Sequence, residues 1–166
     1  MPRNRRDVDR DDKVAAIVAA ATRQATAGGF GALSMAGIAR ELGVAQNAVY
    51  WYFPTRDHLF LAVLRQMVDD IVARKPPNFA DVDKHAVWLV DRVAEVHPLI
   101  VAMRDRARVA PVVAEYEREL DALIRRMVAS AVGDDDVAVE GFLATAEGLL
   151  VRQVPRATRA RALRST

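Results

Sequence analysis

Residues 34–53 place two short apolar-periodic segments on either side of a single glycine, and that spacing leaves little choice of local fold. Ser34 is a good N-cap, and Ile38, Ala39 and Leu42 recur behind it at helical spacing. Gly43 follows, where a tight turn calls for a left-handed backbone. A second short helix is expected from about Ala45 to Tyr52, ended by Pro54, with Thr55 capping the next. Helix, glycine turn and helix make the helix-turn-helix layout, whose second helix can enter a major groove. Within it Val49 and Phe53, four apart, are expected to point inward with Val44. Gln46, Asn47, Tyr50 and Trp51 are left outside. Amides can bond adenine bidentately, at about 1–3 kcal/mol of discrimination per good pair. Tyrosine hydroxyls bond phosphate oxygens and set register. The plainer alternative is a helix pair with a glycine turn that never meets DNA.

The flanking sequence reads as helix throughout. A polar, arginine-rich leader of residues 1–10 is expected to form a flexible arm. A helix should start near Asp11 or Asp12, bury Val14, Ile17, Val18, Ala21 and Ala25, and stop at Gly28-Gly29. Leu59, Phe60, Val63, Leu64, Met67 and Ile71 predict a long helix over 55–74. Pro76-Pro77 marks a boundary near residue 75. Four more helices are expected at about 81–97, 98–109, 111–132 and 136–153, with Pro98 and Pro111 in first turns. The arginine-rich residues 154–166 should fray. Strand-like alternation is scarce, so the fold class is all-α: an N-terminal three-helix helix-turn-helix domain (1–54), a connecting helix (55–74) and a helical C-terminal domain (75–166).

Composition narrows the partners. The chain has no cysteine, which excludes disulfides, thiol catalysis and zinc fingers and fits a reducing cytoplasm. No apolar run is long enough for a signal peptide or a membrane span, so a cytoplasmic protein without membrane contact is expected. Net charge is only +2, but it is unevenly spread. Residues 58–151 carry 11 Lys/Arg against 16 Asp/Glu, whereas residues 152–166 carry five arginines and no acid. The acidic middle is a poor surface for a polyanion.

The run Ser34-Met35-Ala36-Gly37-Ile38-Ala39, then Leu42-Gly43-Val44, Ala48-Val49-Tyr50-Trp51-Tyr52-Phe53, Arg56 and Leu59 resembles the tetracycline-repressor (TetR/AcrR) family of bacterial regulators. The resemblance covers residues 11–64. It implies a dimeric transcriptional regulator bound to a double-stranded DNA operator, a repressor released by a small molecule. It implies that Ala45 opens the recognition helix, that Gln46, Asn47 and Ala48 read bases, and that Tyr50, Trp51, Tyr52 and Arg56 touch phosphates. Ser34 joins these candidate DNA contacts. Ala45 and Ala48 replace a frequent serine and threonine, so a phosphate bond and a polar contact are missing there. The resemblance also makes the C-terminal domain an effector-binding and dimerisation domain. Candidate pocket residues for a small apolar ligand are Trp88, His97, Met103, Arg104, Tyr116, Met127 and Phe142, with Phe79 beside them. Ordinary core is the alternative for most.

Gly141, Ala144, Thr145 and Gly148 share one stripe of the last strong helix, where small side chains would let a second helix approach. They are the candidate homodimer interface, against the alternative of packing within one subunit. Arg3, Arg5 and Arg6 are either a minor-groove arm or a solvated leader. Asp81, Asp83 and His85 have metal-like spacing but read better as an acidic helix start. No metal, cofactor or enzymatic activity is expected. The competing functions are a ligand-independent architectural DNA-binding protein and a protein-interaction module on the same scaffold.

Overall fold

The computed structural model describes residues 5–74 and 82–163. Arg3, Pro76-Pro77, Phe79 and Asp81, singled out above, lie outside the described residues. Eight helices and no strand occur among the described residues: α1 (Arg5–Ala32), α2 (Met35–Glu41), α3 (Gln46–Tyr52), α4 (Arg56–Ala73), α5 (Val82–Ala107), α6 (Pro111–Val132), α7 (Asp136–Val151) and α8 (Arg156–Leu163). None of these helices is long and apolar enough to cross a membrane.

Packing groups the helices into two compact units, one of residues up to 69 with 99–114, the other of 70–98 with 115–166. The first unit is built on α1. Of its predicted stripe Ile17, Val18, Ala21 and Ala25 are buried and Val14 is half-buried, and Ala20, with no exposure, adds a second small contact. α1 begins at Arg5, so residues 5–10 are helical where a leader is expected. Gly28-Gly29 breaks the helix as anticipated. Gly29 has φ +66° and ψ −160°, a backbone region essentially reserved for glycine. The chain then reverses, Phe30 meets Phe60 edge-on at 5.2 Å between ring centroids, and Leu33 is buried. Leu59, Phe60, Val63 and Leu64 of α4 are fully buried and close this core.

The caps at Ser34 and Thr55 are those expected, and Asp135 adds a third. Gly37 N–H donates to Ser34 Oγ at 3.0 Å, His58 N–H to Thr55 Oγ1 at 3.3 Å, and Ala138 N–H to Asp135 Oδ2 at 2.9 Å. Each satisfies a donor that a helix start leaves open. Gly133, at φ +98°, ends α6 before the acidic start of α7.

Two expectations fail for tertiary reasons. Pro98 does not start a helix; α5 runs through it. An internal proline costs about 3 kcal/mol. Val96, Leu99, Ile100 and Met103 are all buried on one continuous stripe across it, each worth about 1.5–3 kcal/mol, so burial wins. Pro98 itself is exposed. The tail does not simply fray either. Residues 156–163 form α8, Leu163 is 5% exposed, and it joins a core of Leu89, Val90, Val128, Val139, Phe142, Ala146 and Leu150 in the second unit.

Replacing Gly29 by alanine meets no neighbouring atom, so only the backbone opposes it. We expect Gly29→Ala to lower stability by about 1–3 kcal/mol. Urea unfolding followed by circular dichroism measures it, and an unchanged midpoint would mean that the chain reverses here without the glycine conformation.

Candidate nucleic-acid interface

The connection between α2 and α3 is held by backbone bonds. Leu42 N–H donates to Ile38 O at 3.0 Å, Gly43 N–H to Arg40 O at 3.3 Å and Val44 N–H to Ala39 O at 2.9 Å. Gly43 has φ +66°, the left-handed value expected of it. α2 is also tied to α1: Ser34 N–H donates to Gln24 Oε1 at 2.8 Å, and Arg23 pairs with Glu41.

α3 presents two faces. Val49 has no exposure and Phe53 only 8%, so both fill the core as predicted. Val44 does not join them. It is 42% exposed, because the turn carries it past the buried edge of α3 before the helix begins. Ala45 is the residue before the helix, in extended conformation, and caps nothing since it has no polar side chain. Gln46 and Asn47 are exposed and Ala48 and Tyr52 half-buried. Tyr50 is 41% and Trp51 67% exposed. The Trp51 and Tyr52 rings stand perpendicular at 4.7 Å, which stiffens an otherwise free aromatic edge. An exposed amide-and-aromatic surface on a seven-residue helix is thus set by burial of the opposite side.

Cations flank this face. The Arg10 guanidinium of α1 lies 5.5 Å from the Trp51 ring centroid. Lys13 donates to Asp9 at 3.0 Å; that bond, with the Asp9 charge and the nearby Tyr52, raises its pKa above the ordinary lysine value. At the start of α4, Arg56 stacks on Phe30 at 4.1 Å, and Arg106 of α5 approaches the same ring at 5.2 Å. Arg106 also grips Asp57 bidentately, Nε to Oδ1 at 2.7 Å and Nη2 to Oδ2 at 3.0 Å. Bonding to this carboxylate raises the pKa of the guanidinium further. Sequence reasoning missed Arg10 and Arg106. The first is separated from its ring by 41 positions and the second from its carboxylate by 49, with no periodicity to connect them.

Ser34 is exposed, and its hydroxyl oxygen serves as cap acceptor, which leaves the O–H as a donor. The candidate contacts Ser34, Gln46, Asn47, Tyr50, Trp51 and Arg56 all belong to the first unit.

The candidate pocket residues do not converge in one unit. Met103, 2% exposed, and Arg104, exposed, belong to the first. Trp88, His97, Tyr116, Met127 and Phe142 belong to the second, where Phe142 is core and Trp88 and Met127 pack against that core. On α7, Gly141, Ala144 and Gly148 are exposed and Thr145 is half-buried. A Cβ placed on Gly141 or Gly148 would touch nothing within 4 Å.

Residues 17–63 match the family model of bacterial regulatory proteins, tetR family. The fold is similar to solved structures of a transcriptional regulator from Rhodococcus sp. Rha1 (23% identity, 90% of this chain and 91% of that one, TM-score 0.75) and a TetR transcription regulator from Haloarcula marismortui (21%, 93% and 94%, 0.71). It is equally similar to a transcriptional regulator from Saccharomonospora viridis in complex with choline (18%, 93% and 95%, 0.75). No curated protein matches the chain in sequence.

Trp51 is two-thirds exposed while Trp88, the second tryptophan, packs against core. Iodide should therefore quench mainly the Trp51 emission, and Trp51→Phe should leave a blue-shifted, poorly quenched signal. Equal quenching of both residues would contradict the exposure of α3.

Proposed function

We propose that this member of the tetR family of bacterial regulatory proteins, a DNA-binding transcriptional regulator by that membership, works as a homodimeric repressor that leaves its operator when a small molecule binds its C-terminal helices. One observation carries the DNA half of this reading: α3 buries Val49 and Phe53 and turns Gln46, Asn47, Tyr50 and Trp51 to solvent. Gln46 and Asn47 read base edges, with the Ala48 methyl available to a thymine methyl. Tyr50, Trp51 and Tyr52 hold phosphates from the aromatic edge, and Ser34 and Arg56 do so from the starts of α2 and α4. Stacking on Phe30 orients the Arg56 guanidinium.

The exposed side of α7 supports the dimer. Val137, Gly141, Ala144, Gly148 and Val151 follow one another at spacings of four, three, four and three, a seven-residue repeat. Val137 is 79% and Val151 62% exposed, and the glycines between them face open space. A second copy of α7 could lie along this seam at close range, with the valines sealing its ends. A dimer also suits operators whose half-sites lie about 34–36 Å apart. For the effector, the similar structure from Saccharomonospora viridis holds choline, which supports a small-molecule site in such a fold.

Fluorescence anisotropy with DNA from upstream of the gene, beside a scrambled duplex and over a salt series, tests the central claim. Preference for the upstream DNA and a steep loss of affinity with salt are expected. The double variant Gln46→Ala, Tyr50→Ala should bind about a hundredfold more weakly, since one base pair contact and one charged hydrogen bond are lost. Equal affinity for both duplexes would instead indicate an architectural binder. For the dimer, Ala144→Glu should convert the species seen by light scattering from two chains to one without loss of helix. A dimer that survives this change would place the interface elsewhere.

A further inference from the structure

In the second unit a buried ion pair is left incomplete. Asp91 on α5, 7% exposed, is the one buried charged residue among the described residues. Arg159 on α8, with its side chain 16% exposed, meets it through a contact of 3.3 Å. A buried pair offsets its desolvation only when the contact is close and the remaining protons are also bonded. The Nε of Arg159 is buried with no hydrogen-bond partner. Its neighbour Arg92 repeats the pattern: Nη1 meets Glu95 Oε1 at 2.7 Å, while Nε is buried without an acceptor. Orphan buried donors are few in folded proteins, and each one asks for an explanation. These two belong to the walls of the same cleft, of about 260 Å³, lined by Asp91, Arg92, Ala94, Glu95 and Arg159.

The sign of what would fill it follows from the pairing. Asp91 is matched by Arg159, and Glu95 by Arg92 and, at 3.0 Å on its other oxygen, by Arg74. The cleft is lined by two guanidiniums and two carboxylates, Arg74 adds a third guanidinium through Glu95, and the unmet groups are donors. A cation would find its carboxylates already engaged. We propose that this cleft binds a small organic anion through an oxyanion group, a carboxylate or a phosphate, taken up between Arg92 and Arg159. Guanidinium forks suit planar carboxylates and phosphates alike. The cleft is smaller than the usual 300–1,000 Å³ of drug-sized sites, so the ligand is small. This inference rests on the reading that the C-terminal helices take an effector, and it makes that effector charged where the sequence suggests an apolar one.

Isothermal titration calorimetry of the full chain, free of DNA, with benzoate and with inorganic phosphate at constant ionic strength tests the site. The expected result is saturable binding of one or both, weakened at least about tenfold by Arg92→Met and by Arg159→Met and unchanged by Arg152→Met. Benzoate alone assigns the site to carboxylates, and phosphate alone to phosphorylated ligands. Arg159→Met removes one partner of the buried Asp91 and can cost the unit its fold. Arg92→Met then decides, because Glu95 is exposed and keeps Arg74. No saturable heat from either anion, or binding that survives Arg92→Met in folded protein, overturns the proposal. Repeating the titration against the DNA complex separates the two readings: anion binding without DNA release keeps the site and removes its effector role, whereas DNA release by some other compound keeps the effector role and leaves this cleft out of it.

Discussion

A helix of seven residues does not hold itself together in water, because its first turn costs more order than its few hydrogen bonds return. α3 therefore exists only through what it buries. Val49 and Phe53 supply that anchor, with the short backbone-bonded turn at Gly43 fixing where the helix begins. The exposed amides and rings are consequences of this anchoring. Their direction is set by the same rotation that hides Val49. A substitution at Val49 would thus disturb the outward face without touching any residue on it.

The second unit works by the opposite logic. α7 is apolar on most of its circumference; its core side takes Val139, Phe142, Ala146 and Leu150, with Leu143 and Leu149 packed beside them. The remaining apolar and small side chains are left toward solvent at a seven-residue repeat. In an isolated subunit that seam would be an unexplained cost. In the proposed dimer a second copy of the same helix would remove it, since a repeat of seven lets two α-helices stay in register along their length.

Local features were legible in the sequence and distant pairings were not. The caps at Ser34 and Thr55, the break at Gly28-Gly29 and the inward Val49 and Phe53 all depend on residues within four positions of one another. Periodicity reports such relations directly. Pro98 misled because its local signal is strong, whereas the buried stripe that overrules it runs across the proline from Val96 to Met103. Val44 misled because a turn residue does not obey the helical period. The arginine-rich tail reads as solvated by composition, yet Arg159 is matched to an aspartate on another helix and Leu163 enters the core. Nothing in the intervening stretch marks that pairing. The candidate contacts on α2–α4 fall in one unit because they come from one continuous segment. The candidate pocket residues, drawn from three helices, had no such frame.

The start of α4 shows how a carboxylate can sit beside a candidate phosphate-contacting face without spoiling it. Asp57 directly follows Arg56, and in sequence it offsets the charge that a phosphate would need. In the structure both Asp57 oxygens are taken by Arg106, which arrives from α5. The two arginines then share the Phe30 ring, one held by the aspartate and the other directed by the ring. Two guanidiniums against one carboxylate leave this corner with a net positive charge. Asp57 thereby keeps its favourable place at the positive end of α4. The negative charge that orders the corner is balanced from within, and the charge presented outward is that of Arg56.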